Sequence, residues 1–258
     1  MELHTCFFTN NPCYLRGEKI APKGVMVHST GANNPWLKRY VQPDDGLLGK
    51  NANGNDWNRA GLDVCVHAFI GKKQDGGIAT YQVLPWAHRG WHAGGAANNT
   101  HISFEICEDG LNDRSYFEAV YREAVELTAY LCRQYRLDPL RDGVVIDHAE
   151  GYRRGIAGNH GDVSHWFPKF GKTMDDFRDY VNLLMGVENM TTDALERLID
   201  ERIKAALTGA ESKVSPWAEE ELQSAVENGI TDGSRPRGYA TREGAAILVE
   251  RLRKKPQE

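Results

Sequence analysis

Two short β-rich runs, each ending in a histidine, constrain this chain more than any other feature. Val25-Met26-Val27 leads into His28 and then Ser29-Thr30-Gly31, and Val144-Val145-Ile146-Asp147 leads into His148 and then Ala149-Glu150-Gly151. Runs of this length read as strands, so each imidazole stands where a strand gives way to a glycine-containing loop. A third group, Asp162, sits in His160-Gly161-Asp162-Val163, just ahead of His165-Trp166-Phe167-Pro168. Packing demands none of these three polar side chains. Two imidazoles and one carboxylate are the protein ligands of a hydrolytic zinc ion (Zn2+), with the fourth position open to water. His160, His165 and Glu150 also lie near the second histidine. Zinc accepts nitrogen or carboxylate oxygen, so chemistry alone leaves the third ligand open among them.

Strand expectations fall at Val25–His28, Cys65–Ile70, Ile78–Val83, Ile102–Cys107 and Val144–Asp147. The second and third of these are joined by Gly71-Lys72-Lys73-Gln74-Asp75-Gly76-Gly77, a hairpin-like connection. Apolar residues at three- and four-residue steps predict helices over Phe117–Tyr135 and Met174–Met185, and a shorter one over Pro35–Val41. Strands with helices on their faces make a sheet-centred α/β layer architecture for residues 1–186.

Several further residues are candidates for chemistry. In Ile102-Ser103-Phe104-Glu105-Ile106-Cys107 the alternation puts Glu105 on the face opposite Ile102, Phe104 and Ile106, where it either meets solvent or lines a cleft. His160 stands two residues before Asp162 and is either an oxyanion donor or a surface loop residue. Gly90-Trp91-His92-Ala93-Gly94-Gly95 is a glycine-flanked loop; Trp91 offers a flat apolar face and the loop reads as a sugar or peptide contact. His67 alternates with Cys65 and Phe69 and reads as a satisfied buried histidine, while Asp147 falls on the other strand face from His148.

The remaining composition excludes several classes. A formal net charge of −5 without clustered Lys and Arg argues against nucleic acid as a partner. No apolar stretch approaches the roughly 20 residues of a membrane span. The start Met1-Glu2-Leu3-His4-Thr5-Cys6 lacks the basic and apolar regions of a signal peptide, so synthesis and folding in the cytoplasm are expected. Five cysteines, with no CxxC, indicate neither a disulfide framework nor a cysteine-rich zinc site, although Cys6 and Cys13 could approach one another.

Taken in order, Val25–Gly31, Gly90–Gly94, Ile102–Ile106, Asp147–Gly151 and His160–Val163 resemble the N-acetylmuramoyl-L-alanine amidase type 2 family, which includes bacteriophage endolysins and the peptidoglycan recognition proteins. The resemblance covers about residues 20–186. It implies a mixed central β-sheet flanked by helices, a zinc cleft, and hydrolysis of the amide between N-acetylmuramic acid and L-alanine in bacterial peptidoglycan. By position, His28, His148 and Asp162 match the zinc ligands, Glu105 the catalytic glutamate, and Trp91 and His92 the substrate loop. His160 falls where many members carry lysine, and is expected to steady the oxyanion. Some members place a tyrosine just before the strand histidine; here that position is Val66. A phage or prophage endolysin, acting on the wall after release, is the expected role. The rivals are a recognition protein that binds without cutting and an intracellular amidase that recycles muropeptides.

The C-terminal part changes character. Residues 187–213 carry a narrow apolar stripe (Leu195, Leu198, Ile199, Ile203, Leu207) and read as a helical linker or a helix that pairs with another chain. Residues 214–258 read as a helix–loop–helix, with Gly229 placed as a helix C-cap and a second helix opening at Thr241. This stretch resembles a single S-layer homology repeat, which implies a secondary cell-wall polymer or a homo-oligomer contact through residues 187–258.

Overall fold

The computed structural model describes residues 1–187 and 219–231. The chain divides into two compact units, Met1–Glu188 and Asn189–Glu258. The first is built on a six-stranded sheet in the order β1-β4-β3-β5-β2-β6, with β1 Leu3–Thr5, β2 Gly24–Ser29, β3 Ala68–Lys72, β4 Ile78–Gln82, β5 His101–Ile106 and β6 Val145–Asp147. Neighbours β3, β5, β2 and β6 run parallel; β4 turns back antiparallel to β3 and takes β1 as a parallel edge. The sheet is mixed and flanked by helices, as expected.

Strand alternation divides the residues between two faces. Val25, Val27, Ala68, Ile70, Ile102, Phe104 and Ile106 point to one face and pack beneath α2 (Arg114–Tyr135), against which α5 (Met174–Val187) also lies. The other face receives Phe69 and Cys107, covered by Phe8, Leu37, Tyr40 and Leu48 from irregular segments, and Met26 and Ile146 under Ala93 and Ala97. On that thinly covered face the chemistry-bearing residues stand.

Several boundaries differ from the sequence expectation, each for a local reason. The β3 strand begins at Ala68 because Cys65 pairs instead with Trp91, drawing the chain toward the tryptophan loop. Only a 3-10 turn, Leu37–Arg39, forms where a helix over Pro35–Val41 was expected. There the Trp36 N–H goes to the Asn34 side chain and Trp36 bridges to Lys72 on the sheet. α2 starts earlier, at Arg114, because the Asp113 carboxylate accepts from the Tyr116 N–H and caps it. The edge strand β1 and α1 (Pro12–Arg16) are too short for periodicity to reveal. Cys13 lies against Cys65, Cys6 faces the Pro43 carbonyl, and all five cysteines are free.

The second unit contributes one described helix, α6 (Glu219–Glu227). It closes as the sequence suggested: Gly229 takes φ +67°, its N–H donates to the Val226 carbonyl, and the Ile230 N–H donates to Ala225. The stripe from Leu195 to Leu207 and the helix opening at Thr241 lie outside the described residues. Among the described residues no helix is long and apolar enough to cross a membrane.

His67, just ahead of β3, is buried as expected. Its Nδ1 accepts from the Ser103 N–H at 3.0 Å and its Nε2–H donates to the His88 carbonyl at 2.8 Å. Burial pushes its pKa down to about 4. The unfolded chain takes up this proton near pH 6.5, so stability is complete above that pH and erodes as pH falls toward 4. In chelator-treated protein the native chain is expected to lose roughly 3 kcal/mol more than His67→Gln across that window, measured by urea unfolding at each pH; parallel curves would contradict this account.

Candidate active site

The register of β2 on β5 sets His28 directly beside Glu105, both on the face away from α2. β6 runs on the far side of β2 and ends in Asp147, where a capping box starts α3 (His148–Arg153): the Asp147 carboxylate accepts from the Glu150 N–H and Glu150 reaches back to the Asp147 N–H. This cap fixes the first helical residue, His148, at the carboxyl end of the sheet, next to His28. Parallel strands commonly present their ligand sites at that end.

The third group arrives by an unusual backbone. Asp162 precedes α4 (Val163–Trp166) in the N-cap position, yet its side chain makes no capping bond. Its φ of 44° and ψ of −129° belong to a region that side chains rarely occupy. Such a conformation costs of order 1–3 kcal/mol, and here it turns the carboxylate toward the two histidines. Asp162 Oδ2 lies 2.8 Å from His28 Nδ1 and 2.9 Å from His148 Nδ1, and the two nitrogens are 3.1 Å apart.

Those distances bear on whether a metal fits. Three lone-pair atoms this close repel unless protons or a cation lie between them. Ligands about 2.0 Å from a tetrahedral zinc ion are themselves about 3.3 Å apart, so a small widening turns this triangle into a zinc triangle. The donor set, two imidazoles and one carboxylate, suits the ion. His148 Nε2 and Glu105 Oε2 are also buried without a hydrogen-bond partner. Electrostatics agree with a cation site. Burial alone raises the Asp162 carboxyl, but the His148 and His28 rings at hydrogen-bonding distance outweigh it and hold the group well below the usual carboxylate range. Burial pushes His28 down despite the Asp162 charge, which favours the neutral ring that a metal ligand needs.

The other expected residues gather around this triangle. Glu105 is half-buried; burial first, then the Asp162 and Glu108 charges, push its carboxyl well above the ordinary value. A cleft of roughly 680 Å³ runs outward past His148, His160, Trp91 and His92 to Arg16 and Arg89. The exposed His160 ring lies 4.9 Å from that of His148, centre to centre. The Arg16 guanidinium sits 5.9 Å above the Trp91 ring. Of the competing ligands, Glu150 is held by the Arg178 guanidinium through both oxygens, and His165 Nε2 faces Glu108 at 3.1 Å.

Sequence reasoning passed over Glu108. It is buried, and its Oε1 accepts from the Ser29 hydroxyl at 2.5 Å and also lies 3.1 Å from His165 Nε2. Ser29 directly follows His28 and His165 belongs to the helix that Asp162 opens, so this carboxylate braces two of the three converging segments. The only signal was an acidic residue just past an apolar strand. Replacing Glu108 by Leu is expected to cost about 2 kcal/mol by leaving the Ser29 hydroxyl unpaired. Removing the exposed Glu18 carboxylate by Glu18→Gln is expected to cost under about 0.5 kcal/mol. Urea midpoints of the metal-free variants read the difference.

Comparison with known proteins bears on the family and the fold. A family model described as N-acetylmuramoyl-L-alanine amidase matches residues 18–165, more than half of the chain. Among solved structures, the Staphylococcus aureus hydrolase AmiA, determined with its ligand, is 18% identical, with 72% of this chain and 83% of that one covered and a TM-score of 0.51. The PlyG catalytic domain is 19% identical over 74% of this chain and 100% of its own, with a TM-score of 0.49. A mutant endolysin from Bacillus subtilis is 22% identical over 70% and 99%, with a TM-score of 0.47. The first of these likenesses is one of fold. None of the curated proteins compared matches the chain.

Proposed function

We propose that this chain, which belongs to the N-acetylmuramoyl-L-alanine amidase family, cuts the amide between N-acetylmuramic acid and L-alanine in peptidoglycan by a zinc-dependent route. The observation that carries the metal is the convergence of His28 Nδ1, His148 Nδ1 and Asp162 Oδ2 from three separate segments. A zinc ion held there supplies Lewis-acid polarisation of the scissile carbonyl and of the attacking water.

The chain's own groups do the rest. Glu105 takes a proton from the water as its oxygen bonds to the carbonyl carbon. It then returns that proton to the departing L-alanine nitrogen as the C–N bond breaks. The raised proton affinity of this buried carboxyl suits both steps. His160 donates to the developing oxyanion from the cleft wall, beside His148. Trp91 offers its ring to a sugar or peptide face along the cleft.

A bacteriolytic, endolysin-type role fits the resemblance of the motifs to phage enzymes. Recognition without cleavage is the less favoured reading, since the chain keeps a carboxyl of raised proton affinity beside the ligand triangle. Within this reading residues 1–186 are the catalytic domain, residues 187–213 a linker, and residues 214–258 a module for a cell-wall polymer or for self-association.

Two outcomes test the assignment. Glu105→Gln is expected to release no L-alanine amino termini from purified sacculi while still holding zinc; full turnover in that variant would remove Glu105 from the mechanism. Glu108→Gln deletes a negative charge that raises Glu105, so Glu105 loses its proton at lower pH. The acid limb of the rate profile is therefore expected to move to lower pH. A limb that stays in place or moves upward would show that Glu105 does not set it.

A further inference from the structure

The Trp91–His92 loop reads from sequence as a substrate contact, yet the two residues face different tasks. Both ring nitrogens of His92 are engaged inward. Its Nδ1 lies 3.0 Å from His28 Nε2 and its Nε2 lies 3.3 Å from the His101 carbonyl. A carbonyl only accepts, so His92 carries its proton on Nε2 and presents a lone pair at Nδ1. His28 must then donate from Nε2, which makes Nδ1, the nitrogen that faces His148 and Asp162, the one able to offer a lone pair to a metal.

The loop holds His92 firmly in this orientation. The backbone N–H groups of His92 and Ala93 both donate to the Asn98 side-chain oxygen, at 3.0 and 2.8 Å. Nearby, Gly95 approaches so closely that a Cβ there would sit 2.5 Å from the Ile156 carbonyl oxygen. The accepting carbonyl belongs to the first residue of β5, whose own ring is tied to Gly143. The same support is missing at the other histidine, where His148 Nε2 is buried without a partner.

We propose that His92 is a positioning residue, which fixes the tautomer and ring orientation of His28 through the chain His101 carbonyl–His92–His28, and does not grip substrate. The inference rests on the zinc reading given above. Outer partners of this kind typically change metal affinity by 10–100-fold when removed.

The test measures zinc affinity by competition with a chelator, the visible spectrum of the cobalt-substituted protein, and kcat and KM on soluble wall fragments. His92→Leu is expected to bind zinc about 10–100-fold more weakly and to shift the cobalt bands, with KM unchanged. His92→Asn, whose Oδ1 can accept where Nδ1 did, is expected to recover most of the affinity. Native zinc affinity in His92→Leu, with a raised KM, would overturn the proposal and return His92 to substrate binding. Should His92→Leu fail to fold, His92→Asn is compared with His92→Gln, whose acceptor lies one bond too far. Tighter zinc binding by Asn supports the proposal and equal affinities overturn it. A native chain that takes up no zinc would sink the zinc reading itself, a result seen before any variant is made.

Discussion

Three lone-pair atoms lie within 2.8–3.1 Å of one another at the carboxyl end of the sheet, and the elements around them in the first unit hold them there. Left to themselves these atoms would separate. His28 is held by the register of β2 between β5 and β6, His148 by a capping box, and Asp162 by a backbone conformation that a side chain seldom adopts. The Glu108 carboxylate ties the segments carrying His28 and Asp162 together from behind. A cation is the simplest group that turns this enforced repulsion into attraction.

The same arrangement sets the electrostatics of Glu105. That carboxyl lies beside His28 in register with its Oε2 buried, and partial burial together with the Asp162 and Glu108 charges raises its proton affinity. Two acidic groups thus sit close together with opposite shifts, Asp162 kept ionised and Glu105 pushed toward its protonated form. Groups driven apart in this way divide naturally into a ligand and a proton carrier.

Much of this could be read from the sequence, and the limits have physical causes. Short β-branched runs and a long 3.6-residue periodicity located the strands and α2, because those patterns report local burial. The position of Glu105 on the face opposite Phe104 followed from alternation alone, and the register beside His28 did not, since pairing between distant strands leaves no local trace. Asp162 was one of several neighbouring candidates. Only the tertiary structure shows Glu150 occupied by Arg178 and His165 facing Glu108. His92 was visible as a histidine in a glycine-flanked loop, but the direction of its ring depends on Asn98 and on the His101 carbonyl. Where Cys65 left its expected strand, a single pairing with Trp91 outweighed β propensity.

The proposal on which the rest turns is one zinc ion held by His28, His148 and Asp162. X-ray absorption at the zinc edge of the loaded protein tests it most directly. The expected spectrum has a nearest shell of only nitrogen and oxygen at about 2.0–2.1 Å, with the outer-shell scattering of two imidazole rings. A sulfur shell at about 2.3 Å, or a shell with no imidazole signature, would place the ion elsewhere and overturn this ligand set.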